Sequence, residues 1–210
     1  MSSRTTALKI ALLSALMALL ALAPAQALDF TNVAFVQTAT GTTSIPVGHA
    51  EFCKIRSEEC RPHANPVAAV TLTSALWEHL QAVNSYYNQA IVPVTDQDLY
   101  QVEEFWTYPN GYGDCEDYVL AKRRELVNAG WPESALLITV VKQANGEGHA
   151  VLLVRTDRGD LVLDNQIGTI DLWNETPYKF IKRQSQADAG KWVDMIDERT
   201  SIVATTAAIR

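Results

Sequence analysis

The sequence reads as an α+β chain, and three observations support that class. Apolar residues recur three and four apart in segments of the first two thirds of the 210 residues. From residue 135 onward the period shortens to two. Glycine-bearing turns separate the later runs. Helical stretches gathered ahead of strand stretches are the pattern of an α+β domain.

Taken in order, the chain opens with Arg4 and Lys9, an apolar run over residues 10–23 and then Pro24-Ala25-Gln26-Ala27. This predicts a secretory signal peptide over residues 1–27, cleaved at the A-x-A site. The apolar run is short for a membrane span, although an uncleaved anchor is the alternative. Residues 28–210 are expected to form a single domain, since no repeat, low-complexity block or linker interrupts them. Removing the leader takes two of 17 basic residues and none of 24 acidic ones, so the mature charge is 15 − 24 = −9. So acidic a chain argues against nucleic acid or anionic lipid as partner. No later segment is long and apolar enough to span a membrane.

Residues 28–50 read as extended, with turn signals at Gly41, Pro46 and Gly48 and a short strand over residues 33–36. Cys53 and Cys60 lie close in sequence, and in an oxidising compartment they are expected to pair. Closing that loop contributes about 2.5 kcal/mol in the chain-entropy model. Two buried thiols are the other reading. His49 and His63 flank the loop and read as surface or loop histidines, because no partner sits at metal-ligand spacing. Thr71 or Thr73 caps a helix running to about Gln89, with Ala75, Leu76, Leu80, Val83 and Tyr87 on one face and His79 at its flank or in the core. Pro93 ends that run, and a short helix follows through Glu103. Trp106 reads equally as core or as a cleft wall. Residues 109–111 then turn the chain.

Residues 112–118, Tyr-Gly-Asp-Cys-Glu-Asp-Tyr, begin the next helix. Asp114 is placed to cap it and Asp117 to reach back toward the cap's amide. Gly130 and Pro132 stop it. Cys115 is the unpaired cysteine, set in a first turn whose free N–H groups favour a thiolate. Strands follow over residues 135–143, expected to be central, then 149–155 and 160–164, with shorter ones over 178–183 and 191–195. The tail from Asp197 has no clear period.

A nucleophilic thiol needs a base, and the base needs a group to hold its tautomer. His149 opens one strand and Asp164 closes the next. If Thr156 to Gly159 form a four-residue loop, so that Arg155 pairs with Asp160, Asp164 falls opposite Val151 and one diagonal step from His149, within hydrogen-bond reach. A tighter turn at Arg158-Gly159 would carry Asp164 out of reach, and a three-residue loop would put the two on opposite faces. Asp114, Glu116 and Asp117 crowd negative charge around the thiol, which raises its pKa. Two explanations stay open: ordinary first-turn acids, or carboxylates holding a hard cation such as Ca²⁺.

With Gly113-Asp114-Cys115-Glu116-Asp117-Tyr118, Gly148-His149-Ala150 and Leu163-Asp164-Asn165 in view, the chain resembles the bacterial transglutaminase-like cysteine peptidases, which include the LapG-like periplasmic adhesin-processing proteases. The resemblance covers roughly residues 30–195. It implies a papain-like/transglutaminase-like fold with the nucleophile helix packed on an antiparallel β-sheet. It implies Cys115 as nucleophile, His149 as general base and acid, Asp164 as orienter, and calcium held by Asp114, Glu116 and Asp117. The implied function is a periplasmic thiol protease acting on a protein substrate such as a surface adhesin, with an inner-membrane regulatory receptor as partner. The alternatives are transglutamination or deamidation by the same triad, and a non-catalytic calcium-dependent binding module.

Overall fold

The run richest in β-branched residues, Leu136–Lys142, is the middle strand of a seven-stranded antiparallel sheet. The computed structural model describes residues 35–199. The signal peptide expected over residues 1–27 and half of the strand expected over 33–36 lie outside the described residues (Val33 and Ala34 for the strand), while Phe35 and Val36 precede β1 and are not in a strand. In chain order the elements are β1 Gln37–Thr38, α1 Val47–Ile55, α2 Ser74–Ala90, β2 Val92–Pro93, α3 Asp96–Tyr100, β3 Tyr112–Gly113 and α4 Cys115–Asn128. Six strands follow: β4 Leu136–Lys142, β5 Gly148–Thr156, β6 Gly159–Leu163, β7 Asp171–Leu172, β8 Lys179–Gln184 and β9 Trp192–Ile196. The sheet order is β1-β9-β8-β4-β5-β6-β7, and β2 and β3 pair separately and in parallel.

Both faces of the sheet are covered, which is why β4 reads as an almost unbroken apolar run. Leu136, Ile138, Leu152 and Val154 face α2 and α4, packing with Leu80, Val83, Val119 and Leu120. Leu137, Val141, Val151 and Leu153 form a second core with Val36, Tyr178 and Phe180. α2 starts at the expected cap: Thr73 Oγ1 accepts from the Leu76 amide. Cys53 and Cys60 are joined by a disulfide. Among the described residues no helix is long and apolar enough to cross a membrane.

Several expectations need correction. Residues 47–55 are helical, not extended, and Gly48, which reads as a turn signal, is inside the helix. Glycine is there because a Cβ would lie 2.3 Å from Trp106 Cδ1. Trp106 is accordingly core, packed against His49 and Trp192. α3 ends at Tyr100 because Gln101 turns left-handed, at φ 62°. The tail at Asp197 is not without structure: its carboxylate accepts from the Phe180 amide, and Arg199 donates to the carbonyls of Trp173 and Thr176.

His49 is neither on the surface nor in a loop. It is 1% exposed, and its Nδ1 accepts from the Trp192 indole, which leaves the neutral ring's proton on Nε2. Burial, helped by Arg123, lowers its pKa from 6.5 to about 4. The unfolded chain therefore binds a proton through a pH window in which the folded protein does not. The stability held by neutral His49 is complete above pH 6.5 and is lost as pH falls toward 4, by about 3 kcal/mol in all. Urea titrations at stepped pH should show that slope, and His49→Gln should flatten it. An unchanged slope in the variant would refute the assignment.

Candidate active site

Two short parallel strands set up the site. Val92 pairs with Tyr112 and Pro93 with Gly113, so the residues that follow each strand emerge side by side. After β2 these are Asp96 and the start of α3; after β3 they are Asp114 and the start of α4. Asp114 occupies the cap position but does not cap α4 with its side chain. Its Oδ2 accepts from the Asp96 amide instead, at 3.2 Å. Asp117 is buried and its Oδ1 accepts from the Thr107 amide at 2.9 Å, tying the incoming chain to the helix. Gly113 permits this close approach, since a Cβ there would sit 2.5 Å from Asp117 Oδ2.

Cys115 is the first residue of α4. Its thiol donates to Glu116 Oε2 at 3.1 Å. Burial pushes its pKa up and Glu116 pushes it further, against a smaller pull from the Ala150 amide. The depressed pKa expected from the helix terminus is thus not what these side chains give, because burial and an adjacent carboxylate outweigh the first-turn amides.

The other half of the site lies on the β5–β6 hairpin. Arg155 pairs with Asp160 and Leu152 with Leu163, which sets Asp164 opposite Val151, the register that brings it diagonal to His149. The four-residue loop expected over residues 156–159 is corrected: Thr156 and Gly159 also pair, so only Asp157 and Arg158 turn the chain, and the register is the same. His149 Nε2 meets Asp164 Oδ1 at 2.9 Å, and both side chains are buried. The Gln166 amide donates to the same oxygen at 2.9 Å, and the Tyr178 hydroxyl donates to Oδ2. Burial alone would raise the Asp164 pKa; these donors outweigh it and hold the carboxyl below its ordinary value. With Nε2 committed to Asp164, Nδ1 is the nitrogen left for chemistry, and Gln166 Nε2 lies 3.5 Å from it. Cys115, His149 and Gln166 all line one cleft of about 570 Å³.

Asp96, Asp114 and Glu116 line the same cleft, with carboxylate oxygens within 4.8 Å of one another. Asp96 Oδ1 and Asp114 Oδ1 are buried without a hydrogen-bond partner. Burial, then Asp114, pushes Glu116 up to about 9. Hard oxygen donors with unused lone pairs and mutual repulsion fit a cation such as Ca²⁺. The set differs from the one expected: Asp96 joins it, while Asp117 is turned to Thr107 and is not gathered with the others. Sequence reasoning missed Asp96 because its proximity comes from the β2–β3 pairing, and nothing local at residue 96 announces it. The remaining histidines are elsewhere: His79 Nδ1 accepts from the Trp131 indole, and His63 lies 3.9 Å from Glu133.

Comparison with known proteins places these features in context. The family model for bacterial transglutaminase-like cysteine proteinases (BTLCP) matches residues 39–200. Among solved structures, calcium-bound LapG of Legionella pneumophila is similar at 28% identity, over 51% of this chain and 64% of that one, with a TM-score of 0.47. A second LapG structure from that organism gives 29% identity over 51% and 63%, TM-score 0.46, and an EGTA-treated form gives 26% over 60% and 69%, TM-score 0.48. The chain thus spans less than two thirds of the first two. No curated relative matches.

Proposed function

Because the chain belongs to the bacterial transglutaminase-like cysteine proteinases, we propose that it is an exported, periplasmic thiol protease that hydrolyses a peptide bond in an envelope or cell-surface protein. The observation that carries this reading is the 2.9 Å His149–Asp164 contact beside Cys115 in one cleft. Cys115 Sγ turns from Glu116 and passes its proton to His149 Nδ1, and the thiolate attacks the scissile carbonyl. Asp164 keeps the imidazole in the tautomer with Nε2–H and stabilises the imidazolium. The Cys115 amide, a first-turn N–H of α4, meets the developing oxyanion together with one further donor. Collapse expels the amine, which takes its proton from His149 and leaves a thioester at Cys115. Water activated by His149 then hydrolyses the thioester and regenerates the thiol.

Asp96, Asp114 and Glu116 would hold calcium, which when bound neutralises the carboxylates that crowd the thiol. By resemblance, the proposal extends to a surface adhesin as substrate and an inner-membrane receptor as regulator.

The test is a comparison of protein N-termini in envelope fractions carrying active protein or Cys115→Ala. New N-termini that vanish in the variant support proteolysis. Ammonia release without chain cleavage would replace it with transglutamination or deamidation, and neither product would leave the binding-module reading.

A further inference from the structure

Lys122 is a buried charge that the proposed chemistry does not use. It lies seven residues beyond Cys115 on α4, two turns along the same helix face. It is 1% exposed and among the described residues pairs with no carboxylate: Nζ donates to Asn84 Oδ1 at 2.8 Å and to the backbone carbonyl of Asp164 at 3.0 Å. Burying an ammonium is costly unless every donor is used well. The burial is deep enough to bring its pKa down to about 7, against the opposing charge of Asp164.

The surrounding bonds show what the cation holds. Asn84 and Asn88 stand one turn apart on α2. Asn88 Nδ2 donates to the same Asp164 carbonyl at 2.8 Å, and Asn84 Nδ2 donates to the Gly168 carbonyl at 3.1 Å. Three side chains from two helices therefore grip the backbone just after β6, the segment that carries Asp164 and Gln166. Cys115 and the His149–Asp164 pair belong to different elements, joined by apolar packing that has no preferred direction and by a bond from Arg123 to the Leu136 carbonyl at the start of β4, which does not touch the β5–β6 hairpin. Directional bonds can fix what such packing leaves free.

We propose that Lys122 is a positioning residue: by bonding the Asp164 carbonyl from the nucleophile's own helix, it sets the placement of Cys115 relative to His149 and Asp164. This rests on the triad reading above. Methionine at 122 would keep the apolar stem and remove the donor, and a misplacement of ~1 Å at a reacting group costs on the order of 100-fold.

The experiment measures the rate at which iodoacetamide alkylates Cys115 in calcium-containing buffer, in wild type, Lys122→Met, Lys122→Gln and Cys115→Ala, below each protein's melting temperature. It also follows the low-field proton resonance of His149 Nε2–H, identified by its loss in His149→Ala. The expected result is an activated wild-type thiol, an alkylation rate about 100-fold lower in Lys122→Met, a shifted His149 resonance and a smaller loss in Lys122→Gln, whose amide still donates. Wild-type rate and resonance in either folded variant would overturn the inference while leaving the protease reading intact. Loss of melting temperature alone, with rate and resonance unmoved, would overturn it too. A wild-type Cys115 no more reactive than a free thiol would overturn the triad reading and this inference together.

Discussion

Alanine at position 164 is expected to lower cleavage by roughly 10³–10⁴-fold, the cost of losing the group that orients a catalytic imidazole. The magnitude follows from how fully this carboxylate is used. His149, the Gln166 amide and the Tyr178 hydroxyl all donate to it. Removing it frees the ring to rotate and to take the other tautomer. It also leaves the buried His149 and Tyr178 donors without that acceptor, each costing about 1–3 kcal/mol, so a drop in melting temperature should accompany the loss of activity. Asp164→Asn separates the two effects. Its oxygen can still accept from His149 and Gln166, and its amide can donate to the Tyr178 oxygen. Stability should then be largely retained while the charge that steadies the imidazolium is gone. Full activity in Asp164→Ala, measured on a substrate found among the envelope proteins, would contradict the assignment.

Calcium is the second large effect. Three carboxylates with oxygens within 4.8 Å repel one another when ionised, and burial has already pushed Glu116 up to about 9. A cation that binds only the folded chain should raise stability by about 2.7 kcal/mol at one hundred times its Kd. Melting curves in calcium and in chelator should therefore differ, and cleavage should fall in chelator. Asp96→Ala and Asp114→Ala should erase the calcium-dependent shift. Asp117→Ala should keep it and lose stability instead, because Asp117 holds the Thr107 amide. Identical melting of the wild type in calcium and in chelator would remove the metal from the account.

What the sequence announced and what it hid divide along a physical line. The two strands of the hairpin were legible because alternation with period two is a local property, but the register that joins Asp164 to His149 was only one of three, since loop length is fixed by the pairing itself. Legible too was α4, whose stop at Gly130 is written in adjacent residues. Asp96 was invisible because it approaches Asp114 only through a parallel pairing of two-residue strands. Lys122 and Arg123 are charged residues of α4, yet both are buried, Arg123 against the Leu136 carbonyl and Glu133. A charged residue satisfied by distant backbone leaves no periodic trace. The helix at 47–55 was hidden by Gly48, which is there for Trp106 rather than for a turn. The cap at Asp114 failed for a related reason: the α3 amide competes successfully for its carboxylate.

The account stands on Cys115 being a nucleophile activated by His149, and the pH dependence of its alkylation in calcium-containing buffer tests that most directly. The prediction is a rate that persists well below the range in which a free thiol ionises and that collapses in His149→Ala. A rate that rises only with ordinary thiol ionisation, and that is the same with or without the imidazole, would contradict it.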